Sequence, residues 1–201
     1  MREVLRLGVV LLVICAVAGA VLAFVNGITS DRIAAQATIR LQQALRDVVP
    51  EADEFTDETD KLLEVKSEAF DGKSGFAIVD RMYAGWSKDK AVGVAFMCFP
   101  SGYGGRIDTV VGVSSDGKVS GVSVVKHSET PGLGAGIANK EFQTRFVGIP
   151  VGTQVKVKKD GGGVDAITGA TVSSRAVANA VNEALKLFDA VRDKGALGDE
   201  L

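Results

Sequence analysis

"RIDTVVGVSSDGKVSGVSVVKHS", residues 106–128, decides the fold. Two β-branched runs flank Asp116-Gly117, and that dipeptide between apolar runs predicts an antiparallel hairpin. Upstream, "GFAIVD" (75–80) and "KAVGVAFMCF" (90–99) have the same short, β-rich character, so strands are expected across residues 62–125. Downstream, "NKEFQTRFVG" (139–148) predicts a short amphipathic helix and "TQVKVKKD" (153–160) a further strand. The last strong element is a helix after Thr171, where Val177, Ala180, Val181, Ala184, Leu185 and Phe188 share one face. Strands and peripheral helices without βαβ alternation predict an α+β class with a mostly antiparallel sheet.

Toward the N-terminus the character changes. No charged side chain occurs from Leu7 to Ser30. Those residues make roughly 36 Å of helix at about 1.5 Å each, enough for a hydrocarbon core of about 30 Å. A cleaved signal peptide would need a shorter apolar stretch and a polar region before its cleavage site. Here the apolar run continues past "AVAGA" (16–20) to Val25, so an uncleaved single-pass anchor in membrane lipid is expected. Ile14 before Cys15 disfavours a lipoprotein signal. Arg2 and Arg6 precede the span, which favours a cytoplasmic N-terminus and a body on the far side. The small residues of "AVAGA" suit close packing against other membrane helices.

After the span, "SDRIAAQATIRLQQALRDVVP" (30–50) reads as a helix with Pro50 at its exit, either capped by Ser30 or Asp31 or continuing directly from the membrane helix. "EADEFTDETD" (51–60) holds six acids in ten residues and reads as a solvated loop; it lacks the spaced ligands of a calcium loop. The expected division is therefore 1–29 for the N-terminus and span, 30–50 for a juxtamembrane helix, 51–195 for one domain and 196–201 for a tail.

Composition excludes several functions. A formal net charge of −2 leaves no nucleic-acid footprint. The two cysteines, Cys15 in the span and Cys98 in a strand pattern, form no disulfide framework, and the single histidine, His127, leaves no His/Cys metal pattern. No Walker A sequence occurs, and "GLGAG" (132–136) has the wrong spacing and context for a dinucleotide fingerprint. There is no nucleophile–base pair and no credible carboxylate pair, so no catalytic residue is assigned.

The stretch "DAITGATVSSRAVANAV" (165–181) runs a hydroxyl-rich turn into the final helix. Two readings stand side by side. Thr171 or Ser173 is an ordinary helix cap, worth about 1 kcal/mol. Alternatively the turn holds a phosphate, since helix N-termini offer free N–H groups and partial positive charge. Gly169 and Ala170 leave room for a close approach, and Arg175, Lys158 and Lys159 supply cations nearby.

These residues resemble a known family. Asp165 followed by "TGAT" (168–171) is similar to the flavinylation motif of FMN-binding domains. "HSETPGLGAGI" (127–137), "GYGGRI" (102–107) and "KKDGGGVDAITGAT" (158–171) resemble the same family in order and spacing. Taken whole, the chain resembles the RnfG family, the G subunits of Rnf ion-translocating electron-transport complexes, and the related NqrC subunits. The resemblance implies FMN joined covalently through its phosphate to Thr171 by a separate flavin transferase; Ser173 is the competing hydroxyl. It implies flavin contacts from Thr168, Gly169, Ala170, Glu129, Thr130, Leu133, Gly134 and Tyr103, with Lys159 and then Arg175 as charge partners. It also implies a prokaryotic cell membrane, the other Rnf membrane and cytoplasmic subunits as partners, and electron relay between ferredoxin and NAD rather than a complete enzyme. Two alternatives are an anchored flavoprotein outside an Rnf complex and an anchored binding module without flavin.

Overall fold

The computed structural model describes residues 1–69 and 77–195, so the expected tail at 196–201 and the start of "GFAIVD" lie outside the described residues. The chain divides into two compact units, Met1–Leu41 and Gln42–Leu201. The first is the greater part of helix α1, Arg2–Val48. Ser30 and Asp31 lie inside this helix, so neither acts as a cap, and the helix read over 30–50 continues directly from the apolar span as far as Val48. Among the described residues, α1 is the one helix long and apolar enough to cross a membrane.

Among the described residues, the second unit is built on five antiparallel strands in the order β1-β2-β3-β4-β5: Glu54–Asp57, Val79–Ser87, Lys90–Cys98, Asp108–Ser114 and Val119–Lys126. Every neighbour in space is a neighbour in sequence, as short connections favour. The expected hairpin is β4–β5, with Gly117 at φ +78 in the turn.

Alternation gives the sheet two different faces. On one, Met82, Ala84, Val94, Phe96, Cys98, Val111, Val113 and Val122 join the main core. Helix α4, Thr171–Asp193, covers them with Val177, Val181, Leu185 and Phe188, all but inaccessible to solvent. Each such side chain contributes about 1.5–3 kcal/mol. Burial among these groups pushes the Cys98 thiol well above its ordinary pKa, so it stays protonated.

The opposite face is floored by glycines. A Cβ on Gly112 would run into the Val48 carbonyl, and one on Gly121 would lie 2.7 Å from the Val48 Cα. The last turn of α1 therefore rests directly on the sheet backbone, and Ser120 Oγ donates to the Val48 carbonyl at 2.5 Å. That bond satisfies one carbonyl a helix C-terminus leaves open.

Three expectations for the second unit change. The acidic "EADEFTDETD" is not a loop: it forms edge strand β1, paired Glu54↔Trp86 to Asp57↔Tyr83, and starts helix α2, Thr59–Ala69. Its charges suit a sheet edge, and Asp57 Oδ1 accepts from the Thr59 N–H at 3.0 Å. "TQVKVKKD" is not a strand. Val155 N–H and C=O both bond the Asn182 side chain, at 2.7 and 2.6 Å, so a helix amide replaces a strand partner. The helix expected over 139–148 shortens to α3, Lys140–Gln143, followed by a 3-10 turn at Thr144–Phe146; Phe142 and Phe146 meet edge to face at 5.4 Å.

Candidate functional site

The apolar stripe of α4 fixes its N-terminus at one end of the sheet. The residue before the helix, Ala170, offers no side-chain cap, and neither Thr171 nor Ser173 caps it. The capping account of this turn is thereby removed. The turn is held from behind: Ser174 Oγ donates to the Ala170 carbonyl at 2.9 Å and accepts from Ile167 N–H at 3.1 Å. Ala170 N–H closes on the Ile167 carbonyl at 3.0 Å, and Gly169 takes φ +78. A positive φ at the third residue of a turn is what glycine accepts without strain. A side chain there would also crowd Leu133, at 3.1 Å.

Three segments converge on this turn around a cavity of about 510 Å³ lined by Tyr103, Glu129, Thr130, Leu133, Gly134, Gly169, Ala170, Thr171, Val172 and Ser173. That volume lies within the range of small-molecule sites. Tyr103 stands 75% exposed at the rim, on a turn closed by Gly102 N–H to the Gly105 carbonyl at 2.7 Å. At the base of that turn the Arg106 guanidinium lies 3.8 Å over the Phe99 ring and bonds Asp108 at 2.7 Å. The loop after β5 folds back through Leu133 and Ala135 N–H to the Thr130 carbonyl, at 3.2 and 3.1 Å. His127 is tied into that loop, its Nδ1 accepting from Glu129 N–H at 3.2 Å.

Glu129 is 5% exposed and Ser173 1%. Ser173 Oγ donates to Glu129 Oε2 at 2.6 Å, and Gly104 N–H donates to Glu129 Oε1 at 3.0 Å. One carboxylate thus joins all three segments. A Cβ on Gly134 would meet Oε2 at 2.5 Å and Ser173 Oγ at 2.8 Å, so glycine is needed beside it.

The cations sort themselves. Lys158 pairs with Asp165 at 2.8 Å. Arg175 holds Asp160 in a fork at 2.5 and 2.6 Å; this raises the guanidinium pKa further and draws the Asp160 carboxyl below its usual range. Lys159 Nζ instead lies 3.2 Å from Thr171 Oγ1. Thr168 is exposed and, like Lys159 and Arg175, is not part of the cavity wall. Sequence reasoning missed Val172, which is 45% exposed in the wall. It lies on the helix face away from the core, so the apolar stripe gave no signal for it. The two hydroxyls also differ: Thr171 is half-buried in the wall, whereas Ser173 is sealed against Glu129.

Comparison with known proteins gives a consistent result. Residues 102–186 match the FMN-binding domain family, and that span contains every residue of the cavity wall. Residues 1–48 match the RnfG N-terminal region. The chain is 36% identical to the G subunit of the ion-translocating oxidoreductase complex of Methanosarcina acetivorans over 94% of its length and 96% of that protein's. It is 31% identical to the G subunit of the Na(+)-translocating ferredoxin:NAD(+) oxidoreductase complex of Acetobacterium woodii, over 93% and 92%. Its fold resembles the crystal structure of the C subunit of the Na(+)-translocating NADH-quinone reductase of Parabacteroides distasonis, with a TM-score of 0.52, 18% identity and coverage of 75% and 91%. With identities above 30% over nearly the whole length of both these G subunits, and an N-terminal helix that matches the RnfG region, the chain belongs to the RnfG family, the G subunits of ion-translocating oxidoreductase complexes.

Proposed function

We propose that this chain is the electron-relay G subunit of an Rnf-type ferredoxin:NAD oxidoreductase, carrying FMN esterified through its phosphate to Thr171 Oγ1. One observation carries the reading. A cavity of about 510 Å³ has the half-buried Thr171 hydroxyl in its wall, with an ammonium 3.2 Å from the oxygen that would bear the ester. FMN accepts or donates one or two electrons, so it links one-electron and two-electron carriers; the protein binds and orients it.

The residues fit such a group. Gly134 and Gly169 keep the wall thin where a Cβ would meet Glu129, Ser173 or Leu133. Tyr103, Leu133 and Val172 are exposed apolar surface at the rim, suited to the face and edge of a flat ring. The uncapped first turn of α4 offers N–H groups to a phosphodiester, and Lys159 supplies the counter-charge. Arg175, committed to Asp160, steadies the loop that carries Lys159. Ser173 makes a poor acceptor, because its hydroxyl is buried and already donates to Glu129.

In this reading α1 anchors the chain with its N-terminus in the cytoplasm and the flavin domain on the far side. There a covalent bond prevents loss of a cofactor made inside the cell. The partners are the other Rnf subunits, surrounding lipid and, during maturation, a flavin transferase.

The test is expression of the full chain with a flavin transferase, then denaturing electrophoresis and peptide mass measurement across residues 160–175. A fluorescent band and an FMN phosphoester on Thr171 are expected. An unmodified peptide overturns the reading, and a modified Ser173 overturns the acceptor assignment. Purification of the chain without any other complex subunit would favour a flavoprotein acting outside an Rnf complex.

A further inference from the structure

We propose that Glu129 is the positioning residue of this cavity and the fixed negative charge that holds the potential of the bound flavin down; this rests on the flavin reading above. Glu129 comes from the loop after β5, yet its two oxygens are taken by donors from elsewhere, Ser173 Oγ of α4 at 2.6 Å and Gly104 N–H of the Tyr103 turn at 3.0 Å. Both bonds run to a side chain only 5% exposed, in the wall of the cavity. Its contacts leave no room for even a methyl group on Gly134.

None of the ion pairs found among the described residues includes Glu129. Two neutral donors hold the charge in place, and no cation among the described residues pairs with it. A buried carboxylate acts at low effective dielectric, where its field is strong and little screened by salt. Adding electrons to a ring beside that charge is disfavoured, so the oxidised form gains. The positive end of α4 opposes this at the phosphate end of the site. The chain thus separates two electrostatic tasks. The helix terminus and Lys159 hold the anion, and Glu129 makes the carrier more reducing.

The experiment measures the flavin midpoint potential of the full chain, co-expressed with a flavin transferase, by spectroelectrochemical titration. Glu129→Gln keeps the shape: its carbonyl accepts from Gly104 N–H and its amide donates to Ser173 Oγ. Removing the charge should shift the oxidised-to-reduced ratio at fixed ambient potential at least tenfold. That is about 30 mV more positive for a two-electron couple, and the shift should persist in high salt. Ser173→Ala keeps the charge and removes one donor, so its midpoint should move the opposite way. A positive shift for Glu129→Gln together with a negative one for Ser173→Ala supports the proposal. Unchanged midpoints, shifts in the same direction, or the reversed pair of signs overturn it, since looser packing alone would not distinguish the two variants. If Glu129→Gln does not accumulate, the Ser173→Ala shift decides by its sign, and no shift overturns the proposal. A wild-type chain without flavin would overturn the flavin reading itself, which the adduct mass reports separately from any potential.

Discussion

The first turn of α4 and the rest of that helix do opposite work. From Val177 to Val191 the helix turns large apolar side chains onto the sheet and holds itself in place. From Thr171 to Arg175 it buries two small hydroxyls and leaves a third, Thr171, in a cavity wall. The stripe uses volume; the turn uses single hydrogen bonds and the absence of side chains at Gly134 and Gly169. A helix can offer an open N-terminus to a ligand only if its other turns supply the stability. Loss of packing should therefore damage the fold and spare the site, loss of Thr171 or Lys159 should do the reverse, and loss of the buried Ser173 hydroxyl should fall between them.

Substitutions can break that division, and their expected effects on stability fall from the core of α4 toward its start and the Lys158–Asp160 turn beyond it. Phe188→Ala removes a fully buried ring. It should cost about 3–5 kcal/mol in urea unfolding of the full chain in detergent, followed by fluorescence of the single tryptophan, Trp86. The fraction that folds should still carry flavin; an intact fold without adduct would merge the two regions into one. Ser173→Ala leaves Glu129 Oε2 without its donor and should cost about 1–3 kcal/mol while Thr171 remains the modified residue. Thr171→Val should abolish the fluorescent band yet change stability by under about 0.5 kcal/mol, as expected away from the core. A large loss of stability there would make the threonine a structural residue. Lys159→Met should have the smallest effect on stability, since Lys159 is exposed and its polar contact to Thr171 sits at the low end, ~0.2 kcal/mol, of what exposed pairs contribute. Its expected signature is reduced flavin occupancy, measured as the flavin-to-protein absorbance ratio, with an unchanged unfolding midpoint.

The two faces of the sheet carry a parallel lesson about legibility. The α4 face was readable, because apolar residues at helical spacing and β-branched runs report burial wherever the partner lies. The glycine face was not. Gly112 and Gly121 look like weak points in strands, and only the docked end of α1 shows that a bare backbone is required there. The acidic stretch at 51–60 misled for a related reason. Charge reports solvent on a side chain, and an edge strand such as β1 has solvent on its side chains while its backbone is paired. At "TQVKVKKD" the alternation of buried Val155 and Val157 is real. The backbone of Val155 nevertheless pairs with the side chain of Asn182 on α4 and not with a neighbouring strand.

By itself the sequence determined the local and periodic features: an anchor-length apolar helix, a hairpin at Asp116-Gly117, the buried stripe of α4 and the small residues of the turn before it. These follow from side-chain hydrophobicity and backbone preference, which each residue carries with it. Tertiary structure alone decided that, in one cavity wall, the Ser173 hydroxyl is buried on Glu129 while that of Thr171 stays half-buried beside Lys159, that Arg175 is spoken for by Asp160, and that Glu129 ties three segments together. Those outcomes depend on which groups distant in the chain come within about 3 Å, the range at which a hydrogen bond forms, and no local preference encodes that distance.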